Sequence, residues 1–308
     1  MMKIIQYFPN SRGTKFLKQF QKTLATKYCE TYEVYDKSPE LFNCLESRLH
    51  ETDLILITAH GTADFIEGEL ERGEPIRITA EDFHRFRNSF VFAFSCSTAD
   101  LGEKICKESN VLSYLGFNDI VNLQVKTSNG QFVTEISNIL RRIYNDTLYE
   151  SLVTFIQKNY NISELAKLIS LNLKRYYVRL LGMTSEDIIA KYAIPRRVAS
   201  NREFIKCLHA DLLTTIDAVR QRITVFGEKN FIPWLFITTE DTAILENLLG
   251  KVLDSEFSPK NIYYKNFLLG YLYKKLNIKD SSEHYLGEVK AAFPEYEPLV
   301  MGFFQENS

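Results

Sequence analysis

The stretch DLILITAHGTAD, residues 53–64, drives an apolar run into His-Gly, and SFVFAFSCSTAD, residues 89–100, drives another into Ser-Cys. Neither run alternates polar with apolar residues. An unbroken apolar strand is one covered on both faces, the situation of a parallel sheet sandwiched between helices. The flanking sequence agrees. KIIQYF (3–8) and TYEVYD (31–36) read as strands, and GTKFLKQFQKTLATKY (13–28) and SPELFNCLESRLHE (38–51) read as helices, with Ser38 placed to cap the second. The first 125 or so residues therefore predict an α/β class, a doubly wound and mostly parallel sheet with helices on both faces.

Between the two runs, FIEGELERGEPIRI (65–78) carries Gly68, Gly73 and Pro75 and reads as a small hairpin leaving the sheet. Thr79 and Asp82 then form a capping-box start for the helix AEDFHRFRN (80–88). TADLGEKICKES (98–109) reads as the helix after the second run, and VLSYLGFNDIV (111–121) supplies a further strand. From about Gln131 long amphipathic segments take over, among them REFIKCLHADLLTTIDAVRQRITVF (202–226), so the second half is expected to be largely helical. Its one break is NFIPWLFITTED (230–241), where WLFITT reads as a buried strand that closes the first sheet. The helices before it are then an insertion at about 131–228 within a domain of residues 1–240, with a closing strand at about 231–238. Leu269, Gly270, Tyr273, Tyr285 and Pro294 give the remaining 241–308 the look of one tetratricopeptide unit.

Composition narrows the function classes. A chain of 308 residues that is 45% hydrophobic has ample material for a core, and a net charge of −2 lacks the basic excess of a dedicated nucleic-acid binder. The Tyr-interleaved basic stretches LRRIYN, LKRYYVR and IPRRVASNR are read as solvated helix faces, so nucleic acid is not an expected partner. No apolar run approaches the roughly 20 residues of a membrane span, and MMKIIQYFPNS has no secretory h-region, so a cytoplasmic location without membrane contact is expected. The five scattered cysteines fit free thiols, and none are paired at CxxC spacing for zinc.

Chemistry in a doubly wound sheet collects where the strands end at their carboxyl side. His60 and Cys96 both fall there. A thiol becomes a nucleophile as thiolate, a form that a neighbouring imidazole and a helix N-terminus both promote. Gly61 lets a carbonyl approach the backbone, and the amides of Gly61 and Cys96 are candidate oxyanion donors. Asp64 and Asp100 read either as acids of a substrate pocket or as a solvated loop residue and a helix N-terminal charge. Cys29, Cys44, Cys106 and Cys207 read as packing residues within helical patterns.

Through LILITAHG, FVFAFSCSTADLG, YLGFNDIV and FIPWLFIT, the chain resembles the caspase-like cysteine peptidases, especially the bacterial branch called CHAT. The resemblance covers residues 53 to about 121 well, is thinner up to 241 and is absent beyond. It implies a caspase-like fold, His60 as general base and acid, Cys96 as nucleophile, and peptide-bond hydrolysis through an acyl-enzyme with no metal or organic cofactor. It also implies a dedicated protein substrate, in bacterial antiviral defence or regulated cell death; the helical half is separately expected to bind a partner, substrate or regulator. Relatives that cut after Arg or Lys often carry an acid two positions before the Cys, where this chain has Phe94. The alternatives are a catalytically inactive caspase-like scaffold acting as a protein-interaction module, and a helical nuclease built on Arg202 and His209.

Overall fold

The structure is a computed structural model that describes residues 3–9, 11, 13–47, 54–86, 89–109 and 111–300. His50, Asp53 and residues 301–308, which the sequence reading touched, lie outside them.

The chain opens as strand β1 (Ile4–Tyr7), helix α1 (Lys18–Lys27), β2 (Tyr32–Tyr35), α2 (Ser38–Ser47) and β3 (Leu54–Ile57). A small antiparallel sheet of β4 (His60–Gly61), β5 (Phe65–Glu71) and β6 (Glu74–Thr79) follows. Then come β7 (Phe90–Ala93), α3 (Ala99–Glu108) and β8 (Ser113–Phe117). The helical segment holds α4 (Val133–Lys158), α5 (Ile162–Leu181), α6 (Ser185–Tyr192), α7 (Arg196–Ala199) and α8 (Arg202–Gln221). Strand β9 (Ile223–Gly227) returns to the sheet, and α9 (Thr242–Leu253), α10 (Ile262–Lys275), α11 (Lys279–Ala292) and the short α12 (Glu297–Val300) follow.

The main sheet has six strands in the order β2-β1-β3-β7-β8-β9, all parallel except β9. Side chains alternate between its faces, as the period of two requires. Ile4, Leu54, Leu56, Phe90, Phe92 and Leu115 pack with α1 and α4, whereas Ile5, Ile55, Ile57, Val91 and Tyr114 pack with α2 and α3. Two apolar faces explain why the strands read as unbroken apolar runs. No described helix is long and apolar enough to cross a membrane.

Two expected elements differ. The closing strand is β9, not WLFITT, and the helical insertion ends at Gln221. Ile223 and Phe226 continue the apolar spacing of Ile216 and Val219, which disguised the helix end. The free edge of buried β8 needs hydrogen-bond partners, and the β-branched run Ile223-Thr224-Val225 supplies them from Ser113 to Phe117. WLFITT instead contains a 3-10 turn, Trp234–Phe236, after Pro233. Its apolar residues are buried edge-on by aromatic rings, Phe236 by Phe155 and Trp234 by Phe267. A helical pattern or a strand pattern was never what that apolar content served.

Smaller corrections are local. Thr79 and Asp82 form the expected capping box, but on a 3-10 helix, Ala80–Arg85. Ser38 begins α2 and donates both its N–H and its Oγ–H to Glu69, at 2.9 and 3.0 Å, rather than capping the helix. In the tail α10 and α11 form a hairpin in which Gly270 packs against Leu286 and Tyr273 stacks on Tyr285. Leu245, Leu248, Phe267 and Leu272 share one apolar cluster with the α1–α4 face of the sheet.

Candidate active site

In a doubly wound sheet the crevice opens where successive connections leave in opposite directions. Here that place is between β1 and β3, since β1 leads outward to β2 and β3 leads the other way to β7. The chain leaving each of these three central strands contributes to one site. Thr58 N–H donates to Tyr7 O at 3.0 Å and Phe94 N–H to Ile57 O at 2.8 Å, so the three strands end level.

After β1 comes Gly13, with φ +46°. After β3 the chain does not run straight into His-Gly as one strand. It leaves the sheet at Thr58 and Ala59, and His60 and Gly61 pair instead with Glu67 and Ile66 of β5. The His60 ring lies over Gly13, because a Cβ built there would meet its Cε1 at 2.5 Å and Nε2 at 2.6 Å. After β7, Ser95 and Cys96 press on Gly61. A Cβ on Gly61 would meet Ser95 Oγ, Thr98 Cγ2 at 2.5 Å and the Cys96 carbonyl oxygen at 3.2 Å. Two glycines thus seat the histidine and the cysteine loop.

Ser97 adopts φ +53°, a left-handed conformation that turns the chain from Cys96 into α3. Its amide donates to Asp119 O at 3.1 Å. The Cys96 amide is bonded to no described backbone or side-chain acceptor. Thr62 N–H donates to Phe65 O at 2.9 Å, and the alternation of an antiparallel ladder then leaves the Gly61 N–H outside the β4–β5 pairing. Both candidate oxyanion donors are therefore open. Ser95 Oγ, buried behind Gly61, also has no partner.

The thiol's surroundings differ from those expected. Val121 N–H donates to Cys96 Sγ at 3.3 Å, and the Sγ–H points back to Val121 O at 3.9 Å. No hydrogen bond joins His60 to Cys96 among the described residues. Burial pushes the Cys96 thiol up from its ordinary range, Val121 N–H works against that, Asp119 adds to it, Arg222 opposes it and Glu67 adds slightly. Helix α3 begins only at Ala99, three residues past the thiol, so its N-terminus does not offset the burial.

The weaker sequence candidates separate. Asp64 is exposed in the turn between β4 and β5, and Asp100 is exposed in the first turn of α3. Phe94 is 6% exposed and packs edge-on against Phe117 and Tyr144, so the position two before the Cys faces the core. Arg202 and His209 lie about two turns apart along α8, roughly 10 Å by helix rise, and no hydrogen bond joins them among the described residues. Sequence reasoning missed Gly13, whose signal was a lone glycine between strand and helix, and Glu67, Asp119, Val121 and Arg222, which no local pattern marks. Among the described residues no group of three His, Cys, Asp or Glu stands together as metal ligands would. Compared with known proteins, the chain matches no family model and no curated sequence.

Proposed function

We propose that the chain is a caspase-like cysteine endopeptidase in which His60 and Cys96 form the catalytic dyad. The observation that carries the reading is the seating of Gly61 against the Cys96 loop, with the amides of both residues unspent. His60 takes the Sγ proton as the sulfur attacks the substrate carbonyl, and the Gly61 and Cys96 amides meet the developing oxyanion. The tetrahedral intermediate collapses to a thioester, and the leaving amine departs with the proton held by His60. Water, deprotonated by the same imidazole, then hydrolyses the thioester and regenerates the thiol. The chemistry uses no metal or organic cofactor.

The substrate is a specific protein, and by family analogy the setting is bacterial defence or regulated cell death, in the cytoplasm. With Phe94 in the core, any acid that selects a basic residue must come from the cleft rim. Asp64 and Asp100 are candidates from the sequence, and Glu67 is added by its pairing with His60. The test is incubation of the wild type and Cys96→Ala with a diverse peptide mixture, with and without host extract, reading new termini by mass spectrometry. Cleavage by the wild type alone is expected. Persistent cleavage by Cys96→Ala overturns the dyad.

The second reading, a non-catalytic scaffold that binds a partner through its helical half, is favoured by the raised thiol pKa and the missing His60–Cys96 hydrogen bond. Deleting the tail is a poor discriminator, because α9 and α10 contribute to the shared core. The double variant His60→Ala/Cys96→Ala is better. Unchanged biological activity in that variant supports the scaffold.

A further inference from the structure

The thiol is occupied by a segment that the rest of the molecule holds in place. Residues 118–125, between β8 and α4, have no regular secondary structure, yet several of their backbone groups are tied to side chains and backbone outside the segment. Asn118 N–H donates to Arg222 O at 3.0 Å, and Arg222 Nη2 pairs with the Asp119 carboxylate at 3.0 Å while Nη1 donates to Ile120 O. Tyr144 Oη donates to Asn122 O at 2.8 Å, Arg141 Nε to Leu123 O at 3.2 Å, and Val125 N–H to Ser137 Oγ at 2.9 Å. The side-chain latches come from α4 and from Arg222 at the end of α8, and Ser97 N–H, in the cysteine loop, adds a tie to Asp119 O at 3.1 Å. The residue at the middle of the segment, Val121, is the one that bonds Cys96 Sγ in both directions, and it is 1% exposed.

We propose that residues 118–125 are a strap that masks Cys96, and that Tyr144 and Arg222 are positioning residues which keep it closed. The inference rests on the peptidase reading only for what the freed thiol would do, since the masking itself is a matter of thiol access. A segment with this many backbone contacts to one structural unit moves when that unit moves. The helical insertion, joined along the chain to β8 and β9 and packed on the sheet through α4, thereby controls the strand-end loop. Ile120, 56% exposed in the strap, gives a binding partner an apolar handle beside the latch.

The strap covers part of Cys96, which keeps intermediate exposure, so opening it returns the thiol toward its ordinary pKa and raises its thiolate fraction at neutral pH. The charged and titratable groups facing it are Asp119 on the strap, Arg222 on the approach to β9, Glu67 on β5 and Tyr144 on α4, with His60 seated on the neighbouring strand. A variant that loosens the strap must therefore leave those charges alone. Tyr144→Phe removes one hydroxyl and keeps the ring packed against Phe94 and Phe16. Arg222→Lys keeps the cation and loses the double grip on Asp119 and Ile120.

The experiment follows iodoacetamide alkylation of the full chain at pH 7, resolved by peptide mass spectrometry so that each cysteine is read separately. Exposed Cys29 serves as the internal reference. Cys96 is expected to react about fivefold faster in each variant than in wild type, the worth of one net hydrogen bond on the opening equilibrium. The double variant should react faster still, with Cys29 unchanged. A Cys96 rate equal to wild type in Tyr144→Phe, with an unaltered circular-dichroism spectrum, overturns the proposal, and this conservative variant serves if the double one does not fold. Alkylation requires no peptide cleavage. Faster Cys96 alkylation without cleavage by any variant would keep the strap and sink the peptidase.

Discussion

The two ends of the β8–β9 pair are built on opposite plans. Beyond the carboxyl end of β8 lie the strap, Ser97 at φ +53°, the unpartnered Ser95 hydroxyl and the open amides of Gly61 and Cys96. At the other end, just past β9, Glu228 is 5% exposed but accepts from Ser258 N–H at 3.2 Å, Asn261 Nδ2 at 2.8 Å and the Ser258 hydroxyl. Close by, Tyr264 accepts from Trp234 N–H at 3.1 Å and donates to Ile232 O at 2.8 Å, inside a cluster of Phe231, Phe257 and Phe267. One end satisfies the Glu228 carboxylate and the Tyr264 hydroxyl and surrounds the latter with aromatic rings. The other leaves donors unspent and holds a residue in an uncommon backbone region. Paired buried polar groups are concentrated where the helical tail docks, and open donors where the central strands end.

The contrast is broken most severely at the aromatic junction. Tyr264→Ala removes a fully buried ring and both of its hydrogen bonds, with an expected loss of about 3–5 kcal/mol in urea unfolding. Tyr264→Phe keeps the ring and is expected to lose only about 1 kcal/mol, which separates packing from hydrogen bonding. If the two variants lose equally, the ring is not what holds the tail. Glu228→Ala leaves the buried Asn261 amide without its acceptor and frees the exposed Ser258 donors to water, at an expected cost of about 1–3 kcal/mol by the same measurement. An effect below half a kilocalorie would mean that water replaces the carboxylate.

At the reactive end the expected losses of stability are smaller and those of function larger. Gly13→Ala puts a Cβ into the His60 ring at a positive φ, so about 1–2 kcal/mol is expected together with displacement of the imidazole, visible as a shifted His60 resonance in NMR. An unmoved resonance would detach Gly13 from the site. The smallest effect concerns alkaline pH. Burial pushes the Cys106 thiol up from 9.0 to about 12, Lys260 opposes the rise and Glu228 adds to it. The unfolded chain therefore releases this proton first. The stabilisation is full below pH 9.0 and fades as pH rises through about 12, so melting temperature should fall over that window. Cys106→Ala is expected to flatten the fall. An identical profile in that variant would assign the alkaline loss to other groups.

Much of this plan is legible in the sequence, for a reason visible in particular residues. Leu54 to Ile57 and Phe90 to Ala93 are apolar at every position because both faces are covered, and that demand is met locally, residue by residue. The same holds for the Thr79–Asp82 capping box and for Gly61, whose missing side chain leaves room for the Cys96 loop. The helix end at Gln221 was hidden because Ile216, Val219, Ile223 and Phe226 keep helical spacing across it. What ended the helix was the unpaired edge of β8, more than 100 residues earlier in the chain. WLFITT failed as a strand for the complementary reason, that rings from α4 and α10 bury its side chains without any backbone partner.

What the sequence alone determined is the set of local solutions: apolar strands at the centre of an α/β sheet, amphipathic helices, a small antiparallel excursion, and His60 and Cys96 just beyond two strand ends. Only the tertiary structure decided which strand closes the sheet, that Gly13 supports the histidine, that Glu67 faces it, and that Val121 rather than His60 bonds the thiol. Apart from Glu67, seven residues from His60, these features depend on groups far apart in the chain, such as Val121 with Cys96, 25 residues away, and Gly13 with His60, 47 residues away. Hydrophobic period and capping chemistry act over one or two turns and are written along the chain, whereas a hydrogen bond across such distances exists only after the packed core has fixed both partners.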